Sequence, residues 1–175
     1  MSRKHFQPNN EKLKIRKIDE NDFNKIWPMI KEIIMEGTTY EYPVDMGKEE
    51  ALHVWMKKPE HTYLAEKDGE TLGTYFIKAN HSGQGNHVCN CGYMVAPNAQ
   101  GQGIGTFLCK HSQQEATKLG YRAMQFNFVA STNLKAINLW LKLGYKIVGR
   151  LPEAFNHPEK GFVDAYVMYK FLNDS

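Results

Sequence analysis

A cluster of glycines in the middle of the chain has the spacing of an anion-binding loop. Gly101, Gly103 and Gly105 lie within "AQGQGIGTFL", between a predicted strand and an apolar pattern with helical spacing. Glycine lets a phosphate group approach the backbone without a Cβ atom in the way. The N–H groups at the start of a helix also attract anions, so the loop is predicted to bind a phosphate-bearing ligand.

Two common phosphate-binding motifs do not fit this loop. The dinucleotide fingerprint G-x-G-x-x-G requires a third glycine where Thr106 stands. The phosphate loop of nucleoside triphosphatases requires a Gly-Lys-Ser/Thr sequence, which does not follow here. A tight turn that binds no ligand is the structural alternative for the glycines alone.

Strands are predicted around the loop from alternating apolar and polar residues. Asp68-Gly69 predicts a tight hairpin, and Pro97 ends the strand that leads into the glycine loop. Residues 151–161, "LPEAFNHPEKG", are predicted to form a loop long enough to fold over a neighbouring pocket. The predicted strands are 13–19, two within 61–80, 87–97, 121–130, 145–150 and 162–172.

Four helices are predicted from apolar residues that recur at helical spacing. Their approximate ranges are 22–37, 48–57, 104–119 and 132–143. Ser131 or Thr132 is expected to cap the fourth helix, whose buried stripe is predicted to include Leu141. The element order predicts an α/β (α+β) fold, in which about four helices flank a mixed, mostly antiparallel sheet of about seven strands.

Length and composition are those of an ordinary globular domain. The 175 residues are 42% hydrophobic and 23% charged, with a net charge of +3. We expect one domain at residues 11–175, preceded by a polar arm at residues 1–10 that lacks the apolar stretch of a secretion signal. The mild charge does not indicate nucleic-acid binding, and no apolar run approaches the roughly 20 residues that span a membrane. A cytoplasmic protein is therefore predicted.

Three cysteines, Cys89, Cys91 and Cys109, are interpreted as reduced and partly buried thiols. A metal site that includes His81 or His87 is the alternative interpretation. No second close pair of ligands completes a tetrahedral set, so we predict that the protein binds no metal.

Two motifs resemble those of the GNAT superfamily of N-acetyltransferases. Gln100-x-x-Gly103-x-Gly105 is similar to the family signature Q/R-x-x-G-x-G/A, and "YMVAP" precedes it as the family's fourth strand does. The second motif, N-x-x-A-x-x-L-Y-x-x-x-G-F, is matched in spacing and type by Asn133, Ala136, Leu139, Gly144 and Tyr145. The resemblance extends over roughly residues 13–172. It implies acetyl transfer from acetyl-CoA to an amine, and a sheet whose fourth and fifth strands splay apart.

The resemblance also implies a binding site for acetyl-CoA. Backbone groups of Met94 and Val95 would pair with the pantetheine arm as an added strand, and one N–H there would stabilise the developing oxyanion. The glycine loop would surround the pyrophosphate. The other implied contacts lie on this loop and the fourth helix: Gln100, Gly101, Gln102, Gly103, Ile104, Gly105, Thr106, Asn133, Ala136 and Trp140.

Acetyl transfer requires an amine that has lost a proton and a thiolate that can leave. Many relatives have a tyrosine acid where this chain has Trp140, whose indole is no useful proton donor at neutral pH. Tyr145 is the adjacent candidate, with packing in the core as its alternative role. Glu41 is the candidate base because it lies in "EGTTYEYP", where the superfamily places a substrate-contacting loop. Water leading to bulk solvent is the alternative base.

A closer similarity concerns the acceptor. "HVCNCGYMV" and "FNFVASTN" are similar to stretches of the fungal N-acetyltransferases that detoxify proline analogues such as azetidine-2-carboxylate. That similarity implies substrate or catalytic roles for Asn90, Asn127 and Asn133. An asparagine amide can donate to a carboxylate or orient an amine without adding charge. Further candidates for the wall of the acceptor pocket are Tyr40, Tyr42 and Phe155.

Three functions are compatible with this pattern. Acetylation of a small-molecule amine, such as an amino acid or a proline analogue, is the first. Acetylation of a protein lysine or N-terminus is the second and needs an open groove. A non-catalytic acyl-CoA-binding regulatory module is the third, favoured by Trp140 at the position of the usual acid. A homodimer is an open alternative to a monomer.

Overall fold

The structure, a computed structural model, describes residues 12–172, so the predicted polar arm at residues 1–10 lies outside the described residues. The strands are β1 Lys14–Ile18, β2 His61–Lys67, β3 Glu70–Ala79, β4 Val88–Val95, β5 Ala123–Ala130, β6 Lys146–His157 and β7 Gly161–Phe171. The helices are α1 Phe23–Glu36, α2 Lys48–Leu52, α3 Ile104–Lys118 and α4 Leu134–Lys142, and a π-helical turn, His53–Lys57, extends α2.

The seven strands form one sheet in the order β1-β2-β3-β4-β5-β7-β6. All neighbouring strands are antiparallel except β4 and β5, which run parallel. The predicted fold class is confirmed, as is the hairpin at Asp68-Gly69, where both residues have positive φ angles of 51° and 81°. Such angles are typical of the two-residue turn that matches the twist of a hairpin.

The parallel strands β4 and β5 separate soon after they begin to pair. Val88–Asn90 pair with Ala123–Gln125, and no later residues of the two strands pair with each other. Both strands nevertheless continue, β4 to Val95 and β5 to Ala130. The predicted splay is therefore confirmed, and it leaves backbone groups on one edge of β4 without a neighbouring strand.

Alternating residues of β3 show how the helices cover the two faces of the sheet. Tyr75 contacts His111 of α3 through its hydroxyl, at 2.6 Å from Nδ1. Phe76 packs edge-on against Trp55, beside α2, with ring centroids 4.9 Å apart. Because neighbouring side chains of a strand point to opposite faces, α3 and the α1–α2 pair cover opposite faces, and the core is divided between them.

The prediction of a loop at residues 151–161 is wrong. Residues up to His157 extend β6, which pairs with β7 down to His157 opposite Gly161, so only a tight turn remains. The strand accommodates Pro152 because β6 is an edge strand and its register shifts between Leu151 and Phe155. No loop from this part of the chain covers a pocket.

The predicted cap of α4 is also wrong by one or two positions. Asn133, rather than Ser131 or Thr132, is the N-cap residue, and its Oδ1 accepts a hydrogen bond of 3.2 Å from the Ala136 N–H. Leu141, predicted to be buried, is 45% exposed. The buried residues of α4 are Ile137 and Trp140, and Leu141 lies beside this face rather than on it.

The three cysteines are buried and free, as predicted. Burial raises the pKa of the Cys91 and Cys109 thiols above their ordinary values. None of the helices in residues 12–172 combines the length and the apolar composition that crossing a lipid bilayer requires.

Candidate active site

A cavity of about 650 Å³ opens where β4 and β5 separate. One end, the donor end, lies at the glycine loop and the start of α3 and α4. The other, the acceptor end, lies between residues 38–42 and the polar ends of β3 and β5. The structure brings most of the predicted site residues to this cavity: Tyr40, Glu41, Tyr42, Asn90, Met94, Val95, Gln100, Gly101, Gly103, Ile104, Gly105, Thr106, Asn127, Asn133, Ala136 and Trp140.

Backbone conformation explains two of the three glycines at the donor end. Gly101 and Gly103 have φ angles of 77° and 82°, in the left-handed region that side chains disfavour. A Cβ atom at either position would meet nothing within 4 Å. These two glycines are therefore required by the turn, and they leave open space above it.

Among the described residues, the loop presents a run of amide groups without a hydrogen-bond partner. No hydrogen bond among residues 12–172 engages the backbone N–H groups of residues 101–106. Gly103, the N-cap residue of α3, offers no side-chain acceptor to the first turn. Unpaired amides at a helix start attract anions. Lys135 stands beside them, with Nζ at 3.4 Å from Gln100 Oε1.

Gly105 has a different role from the other two glycines. A Cβ atom there would lie 3.1 Å from Leu139 Cδ2. The glycine therefore lets the first turn of α3 lie close to the Leu139 side chain of α4 at the donor end. The side chain of Gln102 turns away from this cavity and donates to the Asn98 carbonyl at 2.9 Å, so the predicted contact of Gln102 can be made only by its backbone N–H.

The backbone groups that point to the free edge of β4 are those of Tyr93 and Val95, not those of Met94. The Tyr93 N–H donates to the Tyr40 hydroxyl at 2.9 Å, and that hydroxyl donates to the Tyr93 carbonyl at 2.6 Å. Because backbone groups alternate between the two edges of a strand, those of Met94 point toward β3, where Thr74 is the residue opposite. The predicted backbone contact of Met94 is thus directed away from the opening.

Trp140 stands where many relatives have a tyrosine acid, and Tyr145, the candidate acid, is not placed to donate a proton into the cavity. Trp140 lines the cavity and packs against Tyr93 and Phe126, each with ring centroids 5.0 Å apart. Tyr145 lies outside the cavity lining, stacked on Phe126, with its hydroxyl 2.8 Å from Met124 Sδ. Burial raises the pKa of Tyr145 well above its ordinary value. The structure does not bring Tyr145 to the predicted chemistry.

A bulge in β5 shapes the acceptor end. Phe126 lies opposite Met168 and Val129 opposite Tyr166, so β5 has one more residue than β7 in this interval. The extra residue lets Phe126, Asn127, Phe128 and Val129 all line the cavity. β-bulges commonly re-aim side chains next to active sites.

Amide side chains are joined across the splayed strands. Asn90 Nδ2 donates to the Gln125 carbonyl at 2.9 Å and ties β4 to β5 just before they separate. Asn127 accepts from Gln125 Nε2 at 2.8 Å and donates to Asn80 Oδ1 at 2.7 Å. The predicted asparagines are thus positioned by a network that leaves Asn127 exposed at the cavity.

Residues 38–42 form the opposite wall of the acceptor end. The rings of Tyr40 and Tyr42 stack with centroids 5.4 Å apart, and the exposed Glu41 also lines the cavity. Thr39 Oγ1 is buried without a hydrogen-bond partner in the described residues. Phe155, a predicted wall residue, lies outside the cavity lining, with its ring centroid 6.2 Å from that of Phe128.

A stripe on β3 that was not predicted from the sequence also borders the site. Phe76 and Lys78 line the cavity, and Asn80 bonds to Asn127 just beyond the strand. Their spacing of two along "TYFIKAN" was the available signal, because alternate residues share one face of a strand. Which face of β3 lines the cavity depends on the neighbouring strand and on the strand order of the sheet.

Comparisons with known proteins agree with this geometry. A family model described as "Acetyltransferase (GNAT) family" matches residues 27–145. A GCN5-related N-acetyltransferase from Kribbella flavida is 38% identical, with a TM-score of 0.86, over 91% of this chain and 97% of its own. YncA of Salmonella typhimurium, a putative acetyltransferase solved with its cofactor acetyl-CoA, shares the fold at 20% identity, with a TM-score of 0.80, over 93% of this chain and 95% of its own.

A curated relative comes from a fungus. N-acetyltransferase aca1 of Schizosaccharomyces pombe is 36% identical over 97 residues, which are 55% of this chain and 46% of that protein. The matched region therefore spans about half the length of this relative. The splayed strands, the open amides of the glycine loop and the match over residues 27–145 lead to one conclusion: the chain belongs to the acetyltransferase (GNAT) family.

Proposed function

We propose that this protein transfers an acetyl group from acetyl-CoA to the amine of a small molecule, such as an amino acid or a proline analogue. The observation that carries the proposal is one continuous cavity. It joins unpaired amides at the glycine loop, the free edge of β4 and a polar acceptor end. The loop would hold the pyrophosphate, and the pantetheine arm would lie along β4 as an added strand.

The donor half of the cavity fits the chemistry of coenzyme A. Open amides at residues 101–106 and the ammonium of Lys135 suit phosphate groups. Val95 offers backbone groups to a pantetheine amide, and the Tyr93 N–H lies on the same edge. A backbone N–H on that edge would stabilise the oxyanion that develops on the thioester. Asn133 Oδ1 accepts the hydrogen bond that caps α4, so the side-chain N–H groups of Asn133 remain to bind the ligand.

The reaction is a direct displacement on the bound thioester. The amine nitrogen attacks the carbonyl carbon, the new C–N bond forms, and the C–S bond breaks to release the coenzyme A thiolate. The proton lost by the amine passes to Glu41 or to water at the exposed acceptor end. Solvent can protonate the thiolate afterwards, so no side chain has to serve as the acid.

The shape of the acceptor end favours a small acceptor. The stacked rings of Tyr40 and Tyr42 and the bulged segment of β5 close it from two sides. Residues 151–161, which were predicted to cover the pocket, are instead part of a hairpin. The preference for a small acceptor therefore rests on these two walls. Acetylation of a protein lysine or N-terminus is the alternative. The sequence identity of 36% with a fungal N-acetyltransferase is consistent with the similarity, noted from the sequence, to the fungal enzymes that act on proline analogues.

Release of coenzyme A in the presence of an amine panel tests the proposal. The panel contains amino acids, proline analogues, polyamines and lysine peptides, with thiol release measured against a no-amine blank. We expect turnover on small amines. Turnover on peptides alone would support the protein acetyltransferase, and tight acyl-CoA binding without turnover on any amine would support the regulatory module that Trp140 favours.

Gly103→Glu tests the donor site. The substitution puts a side chain and a negative charge where the pyrophosphate would lie, so we expect acetyl-CoA binding to fall below detection by calorimetry. Gly161→Glu is the matched control, because Gly161 also has a positive φ of 70° and open space around it, in the β6–β7 turn. Equal affinity in wild type and Gly103→Glu would place the cofactor elsewhere.

The homodimer and the cytoplasmic location stay predictions. Sedimentation velocity on the purified chain measures the first, and fractionation of cells that express it measures the second.

A further inference from the structure

A side chain already occupies the free edge of β4 where a bound thioester would react. The Tyr93 N–H donates to the Tyr40 hydroxyl at 2.9 Å, and that hydroxyl donates to the Tyr93 carbonyl at 2.6 Å. The hydroxyl oxygen thus accepts from the backbone N–H on this edge, as the carbonyl oxygen of a thioester would. Its own proton has a fixed direction, because it is shared with the Tyr93 carbonyl.

The position of Tyr93 along the strand indicates which part of the cofactor reaches it. Tyr93 and Val95 present their backbone groups on the free edge, and Val95 is nearer along the chain to the glycine loop. Two residues of a strand span roughly 7 Å. A pyrophosphate at the loop would therefore bring a pantetheine amide to Val95, and the thioester at the end of the arm to Tyr93.

Tyr40 is the side chain that reaches this edge. The rings of Trp140 and Phe126 pack against the Tyr93 ring, with centroids 5.0 and 5.7 Å away, and so lie on one face of β4. Within residues 12–172, no other side chain of the cavity lining hydrogen-bonds to the backbone of β4. A second donor to the thioester oxygen would therefore come from the segment before α2 rather than from α4.

The Tyr40 ring is guided by its neighbours while its backbone is free to shift. The ring stacks on Tyr42 and meets Trp55 edge-on, with centroids 5.4 and 6.0 Å apart. Trp55 is fully buried, and its Nε1 donates to Thr74. No backbone–backbone hydrogen bond in the described part of the chain engages residues 38–42, between α1 and α2. The hydroxyl can therefore move aside by one hydrogen-bond length and stay directed at β4.

We propose that Tyr40 is a catalytic residue whose hydroxyl donates, together with the Tyr93 N–H, to the thioester oxygen and to the oxyanion that develops on it. The proposal rests on the proposed acetyl transfer and adds a residue to it. When acetyl-CoA binds, its carbonyl oxygen enters between the two donors, and the Tyr40 proton turns toward that oxygen. The freed Tyr93 carbonyl then faces the attacking amine and can accept its N–H.

The hydroxyl keeps its proton during the reaction. The C–N bond forms, the C–S bond breaks and the amine proton passes to Glu41 or water, so Tyr40 acts by hydrogen bonding alone. Burial raises the pKa of Tyr40 well above its ordinary value, which keeps the hydroxyl neutral and able to donate. Such a donor strengthens its hydrogen bond as negative charge develops on the acceptor.

Single-turnover rates of Tyr40→Phe measure what the hydroxyl contributes. Enzyme in excess over acetyl-CoA is mixed with a saturating amine from the acceptor panel, so that product release does not limit the rate. We expect the rate to fall roughly a hundredfold or more, as loss of one oxyanion donor does. Acetyl-CoA binding, measured by calorimetry, should not weaken, because in wild type the hydroxyl must leave the Tyr93 groups when the cofactor binds.

Tyr121→Phe is the matched control for Tyr40→Phe. The Tyr121 hydroxyl also makes a hydrogen bond of 2.6 Å, to Glu60, and neither residue lines the cavity. The single-turnover rate of Tyr121→Phe should stay that of wild type. A loss of the same size in both variants would mean that the rate responds to stability rather than to a contact with the thioester.

The carbonyl stretch of bound acetyl-CoA tests the contact without turnover. Infrared difference spectra of acetyl-CoA with and without carbon-13 at the thioester carbonyl isolate this vibration on the enzyme. Two hydrogen bonds lower the frequency more than one, so it should be lower in wild type and Tyr121→Phe than in Tyr40→Phe. 3-Fluorotyrosine in place of Tyr40 keeps the hydroxyl and is a stronger donor, so it should lower the frequency further.

The outcomes separate this proposal from the acetyl transfer itself. An unchanged single-turnover rate in Tyr40→Phe, or equal carbonyl frequencies in wild type and Tyr40→Phe, would overturn the role of Tyr40 even if amines are acetylated. Should Tyr40→Phe not fold, an unshifted frequency in the fluorotyrosine protein would overturn it in the same way. A frequency that depends on Tyr40, with no turnover on any amine, would support the contact and contradict the acetyl transfer.

Discussion

Among single residues, Tyr40 has the most informative contacts. Its hydroxyl bonds to both backbone groups of Tyr93 on the free edge of β4. Burial raises the pKa of Tyr40 well above its ordinary value, so the hydroxyl stays protonated and keeps donating to the Tyr93 carbonyl. Tyr40 therefore occupies the edge along which the thioester is proposed to lie.

Tyr40→Phe tests the relation between this hydroxyl and the cofactor. Removal leaves the Tyr93 N–H and C=O without partners, at a cost of roughly 1–3 kcal/mol in unfolding free energy. If the bound pantetheine arm supplies new partners on this edge, the loss should be smaller in saturating acetyl-CoA. Thermal unfolding with and without acetyl-CoA measures both values.

Tyr42→Phe is the matched control for Tyr40→Phe, because Tyr42 stacks on Tyr40 but its hydroxyl makes no hydrogen bond among residues 12–172. It should change stability little in either condition. An equal loss in Tyr40→Phe with and without acetyl-CoA would show that the cofactor does not reach the Tyr93 backbone.

At the level of elements, the contact between Gly105 of α3 and Leu139 of α4, together with the bulge in β5, shapes the cavity. Gly105 allows the helix contact, since Leu139 lies within van der Waals distance of any Cβ atom added there. The bulge directs Asn127 and Phe128 toward the opening between the strands. Both features shape the cavity, and neither requires a residue that takes part in the reaction.

Gly105→Leu should push α4 away from α3. The added side chain collides with Leu139, and overpacking of this kind typically costs about 1–3 kcal/mol. We expect a lower midpoint in urea unfolding and weaker acetyl-CoA binding. Gly47→Leu is the control, because nothing lies within 4 Å of a Cβ atom there. Unchanged stability in Gly105→Leu would mean that the helices are not in contact at this point.

For the whole molecule, Arg16 connects three elements at one edge of the sheet. It lies on β1 and makes two hydrogen bonds, of 2.9 and 2.8 Å, to Asp22 at the start of α1. A third, of 3.0 Å, reaches Glu66 on β2. The Arg16 guanidinium and, to a lesser extent, Lys25 hold the pKa of Asp22 well below its usual range.

This depressed pKa predicts how stability depends on pH. A carboxylate that is more acidic in the folded state contributes its stability above its unfolded pKa, about 3.9, and loses it as the pH falls through the folded value. Asp22→Asn should therefore be less stable than wild type at pH 7, by roughly 1–2 kcal/mol. The difference should start to shrink below about pH 4, and the two proteins should converge only once the pH has fallen through the depressed folded pKa of Asp22.

Urea unfolding over a pH series measures the difference between Asp22→Asn and wild type. Asp45→Asn is the control, because Asp45 is exposed and makes no ion pair in residues 12–172. A constant difference between Asp22→Asn and wild type at all pH values would contradict the ionic origin of the effect.

Much of the fold was readable from local sequence. The hairpin at Asp68-Gly69, the ends of α1 at Gly37 and of β4 before Pro97, and the order of elements follow from turn residues and periodicity. The loop predicted at residues 151–161 was wrong because its proline and charged residues are tolerated on an edge strand. Edge position is a property of the assembled sheet, and local composition does not reveal it.

The candidate site was likewise predicted in part from the sequence. Motif spacing indicated the glycine loop and α4, which act through backbone form. The asparagines of β4 and β5 were predicted from the resemblance to fungal N-acetyltransferases, because each keeps a fixed place along one strand. Lys78 was missed and Tyr145 was misplaced, since their positions depend on which strand lies beside β3 and which face carries α3.

The sequence by itself predicted the class of ligand at the donor end, because glycines just before a helix start favour an anion through local backbone geometry, and the positive φ angles of Gly101 and Gly103 agree with that prediction. Only the tertiary structure decided what faces the acceptor. Strand order, register and a one-residue bulge bring together side chains that are distant along the chain, such as Tyr40, Lys78 and Asn127. Such contacts depend on long-range pairing, which no local pattern encodes.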